Sequence, residues 1–123
     1  MTVGPTEGSY AMQFKGTVVA ATAYYPSDGR GGKTATAGDS FVRDSELCRL
    51  TYLVGSIEAQ NAVFSIFDGD DNEVFTLTRT TAVAAQEPIM FGEDGPVLQG
   101  NWYVESTDTT PEWNIGFKVV EGR

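Results

Sequence analysis

Histidine is absent from this chain, and cysteine occurs once, at Cys48. Without histidine there is no Ser-His or Cys-His nucleophile, no histidine metal ligand and no side chain with an unperturbed pKa near neutrality. One cysteine excludes a disulfide within the chain, and a zinc site made of one thiolate and carboxylates would be unusual. We therefore expect a protein that is not an enzyme, with no metal site and no cofactor.

Cys48 itself lies among apolar neighbours in the string LCRLTYLV. A reactive thiol needs an electropositive and partly exposed setting. Arg49 is adjacent in sequence, but neighbouring residues of a strand point to opposite faces. The pattern predicts a buried and inert thiol.

Basic residues are scarce, with 8 Lys and Arg against 17 Asp and Glu, for a net charge of −9. Residues 1–43 hold four bases and three acids, or +1, whereas residues 44–123 hold four bases and fourteen acids, or −10. A phosphate backbone requires a basic surface, so we expect no nucleic-acid partner. The acidic part repels its own copies, so docking is expected from the near-neutral N-terminal third.

Long apolar runs are also missing, since none approaches the roughly 18–20 residues that span a bilayer. The start, MTVGPTEGSY, lacks the basic and apolar parts of a signal peptide, so we expect synthesis in the cytoplasm and no membrane partner. The chain is 41% hydrophobic and 20% charged over 123 residues, which is typical of one globular domain.

What the sequence does contain is a series of short alternating segments separated by turn residues, with no sustained helical period. This predicts an all-β fold, a single antiparallel β-sandwich of jelly-roll or Ig-like type with about seven or eight strands. The segments are FKGTVVAATAY (14–24), LCRLTYLVGSI (47–57), VFSIF and EVFTL around DGDDN (63–77), PIMF (88–91), NWYVES (101–106) and WNIGFKVV (113–120). Alternation predicts two buried faces, one with Cys48, Leu50, Tyr52 and Val54, the other with Trp113, Ile115, Phe117 and Val119.

Two segments stand apart from these strands. Residues 1–13 lack clear alternation at their start and are predicted to form an extended N-terminal arm before a β-sandwich domain at 14–123. Residues 26–40 are predicted to form a long Gly-rich loop, of a length that is usually functional or disordered. The residues expected to bind a partner are Tyr10, Met12 and Phe14, which alternate as a strand added to a neighbouring subunit would, and Arg30 and Lys33, a basic pair suited to an acidic patch.

The string DGDDN (68–72) raises the question of a calcium loop. An EF-hand loop needs glycine at its sixth position and a bidentate Glu at its twelfth, but Glu73 and Arg79 stand there. We interpret the string as a hairpin turn, with Gly69 and Asn72 as the residues that adopt positive φ. A calcium-dependent site outside the EF-hand family is the alternative.

Aromatic residues support a second functional interpretation, a carbohydrate- or receptor-binding module of a tail fibre or a secreted protein. Trp102 and Trp113 are in phase with apolar neighbours and are predicted to lie in the core. Tyr103 is out of phase with Trp102, and Tyr25 lies at a strand end. These two tyrosines are the candidate ligand-contact residues.

The order of the segments resembles small all-β virion proteins of tailed bacteriophages. The strings that carry the resemblance are SELCRLTYLVGSIEAQNAVFSIFDGDDNEVFTLT, then EPIMFGEDGPVLQGNWYVEST, then WNIGFKVV, over about residues 45–120. They follow a common layout of a strand with a polar turn, a DG hairpin, an aromatic-glycine segment, a G-x-Y-V-like strand and a terminal aromatic-aliphatic strand.

The resemblance implies a non-enzymatic capsid decoration or cement protein, or an accessory tail or fibre protein, with no catalytic motif. It implies that the chain lies on the capsid surface of a virion and binds the major capsid protein lattice and neighbouring copies, as a homotrimer or another homo-oligomer. Residues 1–44 lie outside the resemblance, and their docking role is our own hypothesis. On that hypothesis, deletion of residues 1–12 leaves a folded domain that no longer binds its particle.

Overall fold

The structure, a computed structural model, describes residues 8–56, 62–78 and 88–121. These ranges contain eleven strands, two short 3₁₀ turns and no α-helix, which confirms the all-β prediction. The strands are β1 (Gly8–Lys15), β2 (Tyr25–Pro26), β3 (Arg30–Gly31), β4 (Lys33–Thr34), β5 (Leu47–Ser56), β6 (Val63–Phe67), β7 (Glu73–Thr78), β8 (Ile89–Met90), β9 (Val97–Gln99), β10 (Tyr103–Ser106) and β11 (Glu112–Glu121). Within the described ranges, no helix is long and apolar enough to cross a membrane.

The strands form two main sheets and a small ribbon. The large sheet has the order β3-β1-β11-β5-β8, and β9 also pairs with β5. Its pairs are antiparallel except for β1 with β3. The small sheet has the order β10-β6-β7, and β2 pairs with β4 in the ribbon.

Side chains from both sheets meet in one apolar core. Phe64 of the small sheet stacks on Trp113 of the large sheet, with ring centroids 4.4 Å apart and planes 10° apart. Phe14 of β1 lies 6.0 Å from Phe64 on the centroids. Trp102 and Trp113 are both fully buried, which confirms their predicted place in the core.

Cys48 is fully buried in this core, as predicted. Burial raises the pKa of its thiol to about 12, and the lowering influence of the nearby Trp102 indole offsets only part of that effect. The thiol is therefore neutral across the physiological range, and a neutral thiol is a poor nucleophile.

A β-bulge in β5 makes the predicted face of that strand wrong beyond its middle. Thr51 has no partner in β11, because its neighbours in β5 pair with Gly116 and Phe117. An extra residue on one strand reverses which side chains face inward. As a result Leu50 and Leu53 are fully buried, whereas the predicted core residues Tyr52 and Val54 are only half-buried.

The first strand also differs from its prediction. β1 ends at Lys15, and the strand predicted over 14–24 does not form, because Gly16 turns the chain with φ 81°. Residues 8–13, predicted to belong to an extended N-terminal arm, are part of β1 and pair with β11. Residues 1–7 of the predicted arm lie outside the described residues.

Candidate functional site on the outer face of the small sheet

The small sheet has one face in the core and one face turned outward. On β10, Val104 is fully buried in the core, so its neighbours Tyr103 and Glu105 project from the opposite face. Across the ladder, Tyr103 pairs with Phe67 and Glu105 pairs with Ser65. Because paired residues lie on the same side of a sheet, these four side chains share the outer face.

Tyr103 forms the centre of an aromatic row on this face. Its ring stacks on Phe67 with centroids 5.1 Å apart and planes 15° apart, and it lies 5.6 Å from the ring of Tyr25. The structure therefore brings together the two tyrosines singled out from the sequence. Tyr103 is only 9% exposed, however, so its predicted role as an exposed contact residue is wrong: the two flanking rings cover it.

Tyr25 lies in the aromatic row because the preceding residue, Tyr24, is hydrogen-bonded to β10. The backbones of Tyr24 and Val104 exchange two hydrogen bonds of 2.9 Å each. Tyr24 then packs inward, 5.6 Å from the ring of Phe14 on the centroids. Tyr25, the next residue, lies on the other side and remains half-buried at the surface.

The acidic string between β6 and β7 is a hairpin turn, as predicted. The carboxylate of Asp68 accepts hydrogen bonds from the backbone N–H groups of Asp70 and Asn72 and from the side-chain amide of Asn72. Burial acts to raise the pKa of Asp68, but these hydrogen bonds outweigh it and the pKa is lowered.

The predicted positive-φ residues in this turn were wrong. Asp71 takes the left-handed conformation, with φ 65°. Aspartate tolerates that region better than most residues. Gly69 is needed for another reason, since a Cβ there would lie 2.8 Å from the backbone nitrogen of Asn101.

Asp71 connects the turn to the aromatic row. Its carboxylate accepts a hydrogen bond of 2.8 Å from the hydroxyl of Tyr103. The pKa of Tyr25 is raised, mainly by burial and to a smaller extent by the negative charges of Asp71 and Glu105. The pKa of Tyr103 is also raised, mainly by burial and then by its hydrogen bond to Asp71. Burial, with the charge of Asp71 second, also raises the pKa of Glu105. The face therefore combines neutral tyrosines with a concentrated negative potential.

The raised pKa of Glu105 predicts how its replacement changes stability. The ordinary pKa of a glutamate is 4.5, and the pKa of Glu105 in the folded chain is higher. At a pH between these two pKa values, the folded chain binds more protons than the unfolded chain. Stability conferred by the neutral form is therefore lost as pH rises through that window. Glu105→Gln should melt at a higher temperature than the parent chain at pH 7, and the difference should disappear below about pH 4.

Thermal unfolding followed by circular dichroism from pH 3.5 to 8 measures this effect. Asp70→Asn, which removes one charge from the exposed tip of the same sheet, is the control. A Glu105→Gln variant that melts below the parent chain at pH 7 would contradict the assigned sign.

A shallow hollow continues the face beyond the aromatic row. It has a volume of about 110 Å³ and is lined by Ala21, Val63, Ser65, Glu105, Ser106 and Thr107. Its polar lining consists of a carboxylate and hydroxyl groups, which accept hydrogen bonds. Within the described ranges, no group of three or more Cys, Asp or Glu residues is arranged to hold a metal ion. This arrangement suits binding through rings and hydrogen-bond acceptors.

The residues predicted to bind a partner do not form one surface. Met12 and Phe14 are 0% exposed, and Tyr10 packs edge-on against Phe41 with centroids 4.9 Å apart. Their predicted role in docking is therefore wrong for the side chains of Met12 and Phe14, because their alternation serves the chain's own core. Arg30 is exposed on β3 at the edge of the large sheet, whereas Lys33 is half-buried on β4 of the ribbon.

The segment 26–40, predicted to be a long loop, is held in place by several short pairings. Arg30 and Gly31 pair in parallel with β1, and β4 pairs with β2. Asp28 accepts hydrogen bonds of 2.9 Å from the backbone N–H groups of Arg30 and Gly32. These two bonds, of which that from Arg30 is the stronger influence, lower the pKa of Asp28.

Comparison with protein-family models, with curated proteins and with solved structures finds no match to this chain. The resemblance to phage virion proteins therefore stays a prediction from the sequence strings quoted above.

Proposed function

We propose that this chain is a non-enzymatic structural protein of a tailed-phage particle, a two-layer β-sandwich that decorates the head shell. Segment 26–40 is the docking element, and neighbouring copies on the shell form a homotrimer or another homo-oligomer. The proposal rests on the family resemblance and on the character of this segment.

The observation that carries the proposal is that a near-neutral segment is held firmly on a strongly acidic chain. Segment 26–40 contains Asp28, Arg30, Lys33 and Asp39 and so has no net charge, against −9 for the whole chain. An approaching copy or shell subunit meets less repulsion at this segment than at the acidic part of the chain, residues 44–123.

The anchoring of the segment favours binding. Pairing of Arg30 and Gly31 with β1 and the two hydrogen bonds to Asp28 fix the backbone before any partner arrives. A fixed segment loses less conformational entropy on docking than a free loop does. On a lattice with many equivalent sites, modest contacts of this kind sum to a stable coat.

Charge reversal in the docking segment tests the proposal. The double variant Arg30→Glu/Lys33→Glu should lower binding to intact particles from the source of this chain by about tenfold or more, because it adds repulsion at the contact. Co-sedimentation with particles, quantified as copies per particle, measures the loss, and thermal unfolding confirms that the variant is folded.

The matched control is Lys15→Glu/Lys118→Glu, which changes the net charge equally but on β1 and β11. It should keep at least most of the parent chain's binding. Equal losses in both variants, or no loss in either, would argue against segment 26–40 as the docking element. A parent chain that does not sediment with particles would overturn the decoration role itself.

A further inference from the structure

The outer face of the small sheet carries features that docking through segment 26–40 does not use. At one end lies the aromatic row of Tyr25, Tyr103 and Phe67, and beside it Glu105 and Ser65 line the shallow hollow. Ring faces placed next to fixed hydrogen-bond acceptors are the components of a small-molecule site.

We propose that this face binds an uncharged saccharide, whose sugar rings pack on Tyr25 and Phe67 while their hydroxyl groups donate to Glu105 and Ser65. A pyranose ring has an apolar face of C–H groups and a rim of hydroxyl donors. Aromatic rings bury the apolar face, and a carboxylate accepts the hydroxyl groups in charge-assisted bonds that are about twice as strong as neutral ones.

The aromatic row is rigid before a ligand arrives. Tyr103 is packed between the other two rings, and its hydroxyl is held by Asp71 at 2.8 Å. The backbone at Tyr25 is fixed through the two hydrogen bonds of its neighbour Tyr24 with β10, and the Tyr25 ring packs against that of Tyr103. Little side-chain freedom is left to lose on binding, which favours the weak contacts typical of single sugar rings.

The charge of the face selects among saccharides. Asp71 and Glu105 both act electrostatically on Tyr25 and Tyr103, so two carboxylates lie close to the row. A uronic or sialic acid would bring a third carboxylate into this potential and would be repelled. A neutral hexose or N-acetylhexosamine avoids that repulsion and supplies hydroxyl donors to Glu105.

The hollow beyond the row extends the site in one direction. Its wall is completed by Ala21, Val63, Ser106 and Thr107. The Thr107 hydroxyl accepts a hydrogen bond of 2.9 Å from the backbone N–H of Val63, and the backbone N–H of Ala21 donates one of 2.9 Å to the carbonyl of Ser106. These hydrogen bonds hold the rim of the hollow in place before a ligand arrives. A second sugar ring is expected to enter here, so a disaccharide should bind more tightly than its monosaccharide.

Titration of the isolated, ¹⁵N-labelled chain tests the inference without any particle. The probes are the methyl glycosides of glucose and galactose, N-acetylglucosamine, maltose, lactose and N,N′-diacetylchitobiose, with glucuronic acid and choline chloride for comparison. At least one neutral probe should shift the backbone signals of Tyr25, Phe67 and Glu105 with a millimolar dissociation constant. Fluorescence quenching is a poor substitute, because Trp102 and Trp113 are buried away from this face.

Two variants and one control locate the site. Tyr25→Ala and Glu105→Gln should each weaken binding by about tenfold. Tyr52→Ala removes a half-buried tyrosine from β5 of the large sheet and should leave binding unchanged. Thermal unfolding of each variant separates loss of binding from loss of fold.

Several results would overturn the inference. The first is that no neutral probe shifts the backbone signals at concentrations on the order of 100 mM, because any remaining affinity would then be too weak for a binding site. Binding of choline alone would make the face a cation site, and equal binding of glucuronic acid would contradict the selection by charge. Because no particle takes part, none of these results bears on the decoration role.

Discussion

Deletion of residues 1–12 is expected to abolish cooperative folding. The deletion removes Gly8 to Met12, which supply five of the eight residue pairs between β1 and β11. It also removes the fully buried side chain of Met12 from the core. Loss of a buried methionine alone costs about 2–5 kcal/mol, and whole domains are stable by only about 5–15 kcal/mol.

The remaining chain would also expose the backbone of β11 along most of the lost ladder. Unpaired N–H and C=O groups of a strand pair with other chains, so the truncated protein should aggregate. Urea unfolding followed by fluorescence of Trp102 and Trp113 measures the effect. We expect no cooperative transition, whereas the parent chain should show one.

Deletion of residues 1–7 provides the control, because it ends just before β1 and leaves every described pair of that strand in place. This shorter chain should unfold with a midpoint close to that of the parent. A cooperative transition near the parent midpoint after deletion of residues 1–12 would show that β1 is dispensable. That result would support the prediction, made from the sequence, that residues 1–13 form an extended arm.

The error about the arm has a physical cause. Alternation of Tyr10, Met12 and Phe14 predicts that one side of a strand is covered, and this is correct. It does not say whether the cover comes from the same chain or from a neighbour. Only the pairing of β1 with β11, about a hundred residues further along, decides the question, and no local pattern contains that information.

The hairpin shows what local sequence can predict. Two apolar runs around DGDDN are enough to place β6, β7 and the turn, because the pairing is between neighbours in sequence. The bulge at Thr51 was not predicted. The sequence of β5 alone does not show which of its residues lacks a partner, because that depends on the register with β11. The buried face of β5 was therefore predicted correctly only up to Leu50.

The candidate site was predicted in part. Tyr25 and Tyr103 were singled out from the sequence, and they lie side by side. Glu105 was within reach of the same reasoning, because it is two residues from Tyr103 and so shares its face. Asp71 was not, because the contact with Tyr103 depends on the left-handed turn that carries it.

Trp113→Ala should produce the second large effect, a loss of about 3–5 kcal/mol in the free energy of unfolding. Trp113 is 1% exposed and stacks on Phe64, so it connects the large sheet to the small one. The fit around it is close: a Cβ at Gly55 would lie 2.7 Å from the Trp113 ring. Neighbouring strands cannot collapse far into the space left by alanine, because both sheets are fixed by their own ladders.

Phe67→Ala is the comparison that separates core packing from aromatic contact in general. Phe67 also stacks on a ring, that of Tyr103, but it lies half-buried on the outer face. Its replacement should cost clearly less than that of Trp113, because water already reaches part of its surface and no enclosed cavity forms. Urea unfolding of both variants gives the two free energies. Equal losses would mean that the contact between Phe64 and Trp113 does not hold the two sheets together, and the sheets would then have to be joined through the remaining core residues of β1 and β5.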